Sequence, residues 1–285
     1  MTQVGDPMTN SNLVLHPNVK KGFRLVALEC PYDILHHEPV QTLFSKVIAL
    51  KIKGYLHEHP YGVLPVDSSD FIGDHLVLCK VDENENWIPI MAQKSLSLRR
   101  ARLHSVAFPF SALADSHSAF PRHREFFQNW VTQLSSRLGH ADHEITYESA
   151  VTIDPELRVN PPLRQWVRDL IWVQNARFHQ GRGTKSSLTL AATQFKMHEA
   201  FNAIGYQSAA DRWGGLADLE LPAGDDKANL RLMVRSGDFP PTLAPLIEAN
   251  AELWEDRLIL NFARLGSAQE RFTRQVKKDA PKKAA

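Results

Sequence analysis

Two apolar runs separated by a short polar turn restrict the folds open to this chain more than any other feature. The first run covers residues 74–81 and the second covers residues 87–98, with Glu83 to Asn86 between them. Apolar segments of this length joined by a few polar residues are typical of an antiparallel β-hairpin. The sequence therefore predicts a hairpin in this part of the chain.

The rest of the chain mixes strand-like and helix-like patterns. Apolar residues recur at spacings of three and four in the predicted helices, and Pro161 is a good starting residue for one of them. The predicted strands are 23–30, 145–153 and 230–234, and the predicted helices are 40–58, 124–138, one from Pro161 onward, 188–201 and 243–265. Periodicity leaves open whether residues 171–178 continue the helix from Pro161 or form a strand. This mixture predicts an α/β or α+β fold.

Composition limits the class of protein without naming a partner. The chain has 285 residues, is 43% hydrophobic and 23% charged, and carries a formal net charge of +1. Such a chain can bury a core without disulfides or metals, and Cys30 and Cys79, which lie in apolar runs, are expected to be buried thiols. Apolar runs fall short of the roughly 20 residues that span a bilayer, and no signal-peptide pattern is present. We expect a cytoplasmic protein in which nucleic-acid binding is unlikely.

An acidic turn immediately precedes the first hairpin strand. Asp67 and Asp70 stand three residues apart among serines, and His75 follows at the start of the strand. If the turn closes, both carboxylates can reach one point and bind an ammonium group, while His75 could act as a general base. The alternative is structural, because Asp and Ser are favoured in turns where they hydrogen-bond their own backbone.

A polar, glycine-containing segment precedes the helix predicted at 188–201. Glycine lets backbone amides approach a ligand, and a helix N-terminus offers free N–H groups and a positive dipole. The candidate phosphate-binding residues are Gln180, Gly181, Arg182, Gly183, Thr184 and Lys185. The alternative is an ordinary glycine turn in which Thr184 or Ser186 caps a helix.

Several other classes of site lack a recognisable pattern. The histidine pairs do not occur in a known metal-binding spacing, so no metal site is expected. No nucleophile elbow is present, and neither cysteine has the local signature of a catalytic thiol. Covalent catalysis is therefore not predicted.

The motifs together resemble those of the acyl-homoserine-lactone synthases and N-acyl amino acid synthases, a branch of the GCN5-related N-acetyltransferase (GNAT) fold. Asp67-Ser-Ser-Asp70 before a strand is similar to the Asp-x-x-Asp turn of that branch. Gln174-Asn-Ala-Arg177-Phe178 looks like its Glu-x-x-Arg-Phe strand motif, and Phe108-Pro109 resembles its Phe-Pro pair. Gln180-x-x-Gly183 resembles the pyrophosphate loop of the wider fold. The chain departs at Gln174, where the branch has Glu, and at Lys185, where the loop ends in a small residue.

The resemblance implies a mixed, mostly antiparallel central sheet flanked by helices. It implies one acyltransferase domain over residues 21–266, with an insertion near 115–160. The polar composition of residues 1–20 and the lysines of residues 267–285 predict a flexible tail at each of these ends. The expected activity is transfer of an acyl group from an acyl-CoA or acyl-carrier-protein thioester to an amine such as an amino acid, without a metal. Asp67, Asp70, His75 and Gln174 would act on the acceptor amine, Arg177 and Phe178 would bind the substrate, and residues 180–185 would hold the donor's phosphates.

A different class of function competes with this one. Arg99, Arg100 and Arg102 form a basic stretch, and the chain ends in a lysine-rich segment. These residues suit a non-catalytic module that binds nucleic acid or a protein partner. Such a module needs the three arginines on one exposed face, whereas a strand through them would divide them between two faces.

Overall fold

A computed structural model describes residues 22–58, 66–108, 121–213, 218–223 and 226–265 of the chain. The two predicted tails and Pro109 lie outside these residues. The described residues form one sheet with helices on both faces, so the α/β class with a mixed, mostly antiparallel sheet is confirmed.

The sheet contains nine strands within the described residues, in the order β6-β8-β5-β4-β3-β2-β1-β9, with β7 paired to β8. Neighbouring strands are antiparallel except for the pairs β1–β9 and β4–β5, which are parallel. The strands are β1 Phe23–Glu29, β2 Asp74–Val81, β3 Trp87–Ser97, β4 Ile145–Ile153, β5 Ser186–Ala192, β6 Gln207–Ser208, β7 Leu219–Ala223, β8 Asp226–Ser236 and β9 Leu258–Leu260.

Nine α-helices of very different length connect the strands over the described ranges. None of these helices is both long and apolar enough to cross a membrane. They are α1 Glu38–Glu58, α2 Ser68–Ile72, α3 Leu98–Leu103, α4 Pro121–Ser136, α5 Pro161–Gly181, α6 Met197–Ala203, α7 Ala209–Trp213, α8 Ala244–Ala249 and α9 Ala251–Glu255.

The predicted hairpin is the centre of the sheet. Strands β2 and β3 pair antiparallel along their length, and β2 is buried at six consecutive positions from Asp74 to Cys79. Burial on both faces follows from the helices, since α5 packs on one face while α1 and α4 pack on the other. Both cysteines are free and buried, as expected.

The parallel pair β4–β5 is hydrogen-bonded over only part of its length. Ile145 to Glu148 pair with Ser186 to Thr189, and beyond this point β4 pairs only with β3 while β5 pairs only with β8. A β-bulge follows at once, because Ala150 has a φ of 53° and the register with β3 shifts there. The sheet therefore divides between β4 and β5 immediately after Glu148.

Two of the predicted helices are wrong. Residues 188–201 contain most of β5 followed by most of α6, so only their second part is helical. Strand β5 is an inner strand whose run of apolar residues also fits a helical stripe. Residues 243–265 are divided into α8, α9 and β9, and Asn250 stands at the break with its side chain bonded to Leu246 O. The predictions at 40–58, 124–138 and 145–153 are confirmed within a few residues.

The segment predicted as an insertion, 115–160, contains both α4 and β4. Helix α4 packs on the sheet, and β4 is an inner strand of that sheet. Between β3 and β4 the described residues form α3 and α4, within residues 98–144. The insertion itself stays a prediction.

Helix α1 lies close to β4 at Gly54. A Cβ atom there would lie 2.5 Å from Thr152 Cγ2, and the next nearest atoms are 3.9 and 4.0 Å away. Gly54→Ala should gain about 1 kcal/mol of helix propensity but lose about 1–3 kcal/mol to the overlap. Thr152→Ser removes the overlapping methyl group, so Gly54→Ala should destabilise the wild type and stabilise the Thr152→Ser variant in urea unfolding. An equal effect in both backgrounds would show that this contact does not limit the position.

Candidate functional site

A pocket of about 370 Å³ opens at one end of the sheet. It lies where β2 begins, β3 ends, β4 begins and α5 ends, so it is built by residues that are distant in sequence. Its walls are mostly charged and polar, with Asp33, Asp74, Ser95, Ser97, Arg99, Arg100, Leu103, His104, His143, Thr146, Phe178, His179, Arg182 and Thr184 as the lining residues.

One wall of the pocket is an ion-pair network centred on Asp74. The buried Asp74 carboxylate accepts from Arg100, from Arg182 NH1 at 2.5 Å and from the Cys30 amide at 3.1 Å. Arg182 NH2 also lies 2.8 Å from Glu29 Oε1, and the guanidinium stacks on Phe178 at 4.5 Å from the ring centre. Burial raises the pKa of Asp74, while the charges of Arg182 and Arg100 oppose this rise. Both arginines are partly exposed and can also contact a ligand.

A second cluster lies behind the pocket, at the point where β4 and β5 divide. Glu148 is completely buried. Its carboxylate accepts from Gln93 Nε2 at 3.3 Å, from the side-chain amide of Asn175 and from the Tyr206 hydroxyl. Tyr206 also lies 2.6 Å from Ser187 Oγ, and burial together with Glu148 raises the pKa of Tyr206. Strand β3, helix α5 and the residue before β6 thus supply the donors to one interior carboxylate on β4.

His179 connects this cluster to the pocket. Its Nε2 lies 3.1 Å from Glu148 Oε1, although the two are not aligned as a hydrogen bond, and its Nδ1 lies 3.2 Å from Thr184 Oγ1. Thr184 Oγ1 lies 3.4 Å from Thr146 Oγ1 at the pocket wall. Burial lowers the pKa of His179 to about 4, partly opposed by Glu148, so the imidazole is neutral near pH 7. A neutral imidazole with a carboxylate behind it can accept a proton from a bound ligand.

The acidic turn forms a separate cluster on the other side of β2. Asp67 caps α2 by accepting from Ser69 N at 2.7 Å, while Asp70 Oδ2 accepts from Asp67 N at 2.9 Å. The buried Asp70 also pairs with Lys51 and lies 3.3 Å from Lys94 Nζ. The carboxylates of this turn thus bond to their own backbone in a reciprocal capping box, and Asp70 is also close to two lysines. This is the structural alternative given for the acidic turn.

His75 belongs to the same cluster. Its Nε2 lies 2.7 Å from the carbonyl oxygen of Asp70, so this nitrogen donates, and the ring is completely buried. Burial lowers the pKa of His75 to about 4. The structure therefore brings Asp67, Asp70 and His75 together, as the sequence suggested, but not at the pocket.

The segment from Gln174 to Phe178 is helical, which corrects the strand motif assigned to it. It lies in the last half of α5, where Gln174 is buried and neither amide atom of its side chain has a partner among the described residues. Arg177 lies 3.7 Å from Glu255 and stacks near Trp254, so it does not pair with Asp70. Phe178 alone of these three lines the pocket.

The predicted phosphate loop does not precede a helix. Residues 180–185 comprise the last two residues of α5, where the helix dipole is negative, and the turn that leads into β5. Four successive amides are already bonded, from Arg182 to His179 O, Gly183 to Gln180 O, Thr184 to His179 O and Lys185 to Glu144 O. The segment instead positions Arg182 and Thr184 in the pocket, and Lys185 pairs with Glu144 at 2.7 Å.

Sequence reasoning missed the groups that organise the site. Glu148 stands in the middle of a correctly predicted strand, and acidic residues are rare inside strands and almost never fully buried without partners. A glutamate in the middle of a predicted strand therefore marks a candidate site in the sequence. Asp74, Arg100 and His179 have no such pattern, because their proximity depends on which strand and helix ends meet at this edge of the sheet.

No protein-family model and no curated protein matches the chain. Among solved structures it is similar to a CoA-dependent acyl-homoserine lactone synthase, BjaI, with SAM and isopentyl-CoA, at 12% identity over 87% of this chain and 100% of that one, with a TM-score of 0.49. It is also similar to the AHL synthase LasI, at 9% identity, 84% and 97% coverage and a TM-score of 0.44. An N-acetyltransferase described from Lactobacillus plantarum matches at 11% identity, 75% and 98% coverage and a TM-score of 0.41. Acyl-homoserine-lactone synthases and N-acetyltransferases are also the proteins whose motifs the sequence resembles. At this level of identity the similarity concerns the fold alone.

The burial of His75 predicts a pH dependence of stability. Its pKa falls from 6.5 to about 4 on folding, so only the unfolded state takes up this proton between those values. The stability that neutral His75 contributes is therefore complete above pH 6.5 and is lost at about 1.4 kcal/mol per pH unit as the pH falls toward 4. His75→Gln keeps a side-chain donor for Asp70, and it should reduce the slope of unfolding free energy against pH in this window. His143→Gln, at an exposed histidine, should leave the slope unchanged, and equal slopes in all three proteins would contradict the assignment.

Proposed function

We propose that this protein is an N-acyltransferase that moves an acyl group from a thioester to the amine of a small acceptor. The observation that carries the proposal is the division of the sheet between β4 and β5. Ala150 and Val151 have no register partner in either neighbouring strand, and they follow directly after Glu148. An acyl thioester needs backbone donors for its carbonyl oxygen, and a bulge between separating strands is a place where backbone amides leave the regular pairing.

The separating strands also suit the extended arm that carries a thioester. Such an arm contains amide groups that can bond to an open strand edge as an additional strand does. Strand β4 beyond Glu148 and β5 beyond Thr189 each present one edge toward the gap between them. The thioester would then lie beside the bulge, with the acyl chain directed along the gap.

The acceptor would occupy the pocket at the opposite end of the same two strands. Asp74 can bind an ammonium group, and Arg100 or Arg182 can bind a carboxylate. An amino acid or a related zwitterion fits this combination of charges. The pocket and the bulge are separated by the cluster of Glu148, His179 and Thr184, so an amine at the inner end of the pocket would face the thioester.

His179 is the group best placed to accept the amine proton. The amine nitrogen attacks the thioester carbon, the carbon–sulfur bond breaks, and the released thiolate takes up a proton. His179 removes the proton from nitrogen directly or through the Thr184 hydroxyl, and Glu148 acts as a positioning residue that stabilises the imidazolium. No covalent acyl-enzyme is required.

The first test is amine-dependent release of free thiol from acyl thioesters, with product mass confirmed by mass spectrometry. His179→Gln removes the base, so kcat should fall by about 10²–10⁴-fold while acceptor binding changes little. His143→Gln changes another histidine of the pocket wall and should keep near-normal kcat. Thiol release that does not depend on an amine, or an unchanged kcat in His179→Gln, would contradict the proposal.

The start of α5 favours a carrier-protein thioester over a CoA thioester. This helix follows β4, but Pro161 and Pro162 have no N–H, Leu163 N donates to Asn160 Oδ1, and Arg164 N donates to Asn160 O. The helix N-terminus therefore offers no free amide to a pyrophosphate. Exposed Arg164 and Arg168 lie on the first turns instead, where an acidic carrier surface could dock.

The donor preference is measured by comparing the same acyl group on carrier protein, CoA and pantetheine. We expect carrier protein to give the highest kcat/KM. CoA and pantetheine should give similar values, because the additional phosphates of CoA add no binding energy. Arg164→Glu with Arg168→Glu should lower kcat/KM for the carrier donor at least about tenfold and leave pantetheine unchanged. A strong preference for CoA over pantetheine would show that a phosphate site exists elsewhere.

The binding-module alternative is not favoured by the arginine stretch. Arg99, Arg100 and Arg102 lie in α3 rather than in a strand. Arg100 turns inward to Asp74, and Arg102 pairs with Asp142 at 2.6 Å. The three side chains therefore do not form one basic face.

A further inference from the structure

A third group of side chains, distinct from the proposed acyl-transfer residues, converges at the rim of the pocket. Cys30 follows β1, Asp33 ends the 3-10 turn Pro31–Asp33, and His104 follows α3. One ligand atom from each residue lies within 4.8 Å of the other two. The three residues come from two segments that are about seventy positions apart, so the fold and not the local sequence brings them together.

From this arrangement we propose that Cys30, Asp33 and His104 bind one divalent transition-metal ion, with zinc as the best fit. Thiolate, imidazole and carboxylate are the three ligand types that zinc takes in proteins, and hard cations such as Mg²⁺ do not select a thiolate. Three protein ligands leave one position of a tetrahedron open. Asp33 and His104 both line the pocket, so the open position would face the pocket contents.

The local geometry holds two of the ligands in place before an ion binds. Cys30 precedes the 3-10 turn and Asp33 ends it, and Asp33 N donates to Cys30 O at 3.1 Å, so both ligands belong to one hydrogen-bonded turn. The His104 ring contacts Tyr32 edge to face at 5.7 Å between ring centres, which orients the imidazole. Cys30 is buried, His104 is partly buried and Asp33 is exposed, so an ion can enter from the Asp33 side.

The surrounding charges are compatible with a cation. Arg100 is the cationic side chain that acts on Cys30, and it is neutralised by its pairing with Asp74. When the ion binds, a metal–sulfur bond forms, the sulfur–hydrogen bond breaks and the thiol proton passes to solvent, so the ligand set becomes more negative by one charge against the two positive charges of the ion. No redox step is involved.

The test is a cobalt titration of the reduced, metal-free full-length protein without an affinity tag. A thiolate-to-cobalt charge-transfer band and strong visible bands of a tetrahedral ion should appear at one equivalent, and zinc should abolish them. His104→Gln should weaken cobalt binding by more than about tenfold, and Cys30→Ser should remove the charge-transfer band. Cys79→Ser, at the other buried thiol, and His143→Gln, at another histidine of the pocket, should leave both unchanged.

Labelling of the wild type covers the case in which Cys30→Ser does not fold. Alkylation of Cys30 in the native protein, located by mass spectrometry, should be slowed by zinc and restored by a chelator, while labelling of Cys79 should not respond. Absence of a charge-transfer band in the wild type, or its persistence in Cys30→Ser, would overturn the proposal. Equal zinc protection of both cysteines would also overturn it, because that result reports general stabilisation.

Discussion

The structure depends on one fully buried carboxylate. Glu148 lies in the centre of the sheet, where an unpaired charge would cost several kcal/mol. The cost of burying this charge is offset by three donors, and His179 lies beside it. The donors are Gln93, Asn175 and Tyr206. These contacts hold β3, α5 and the segment before β6 around β4. Because Glu148 needs these partners, polar groups occupy the point where β4 and β5 separate, and apolar side chains cannot pack across it.

A second buried charge cluster has a different role. Asp70 is paired with Lys51 and Lys94, and burial together with the charge of Lys94 lowers the pKa of Lys51 to about 8. These groups are satisfied by α1, α2 and β3, and they lie apart from the pocket. They hold the start of β2 in place, and Asp74 is the first residue of that strand. The acidic turn therefore affects the pocket through the position of Asp74.

Much of the architecture follows from local pattern, whereas the site does not. The hairpin, α1 and β4 were predicted because period and turn chemistry agree in these segments. In α1 the helical period does not identify every buried position, since Lys51 is buried against Asp70 while Ile52 is exposed. Residues 188–192 show why a pattern can fail: an inner strand buried on both faces is apolar at most positions, and this also satisfies a helical spacing. The prediction that residues 180–185 bind phosphate relied on a following helix, and a strand follows them instead.

The central claim is that the bulge of β4 receives the thioester, and amide hydrogen exchange tests it most directly. The amides of Ala150 and Val151 lie outside the described ladders, so in the free protein they should exchange much faster than those of Ile145 to Glu148. A non-hydrolysable acyl-pantetheine analogue should slow exchange in residues 149–153 and 190–192, at the two edges of the gap. Saturable binding of the analogue without protection of these two segments would contradict the account.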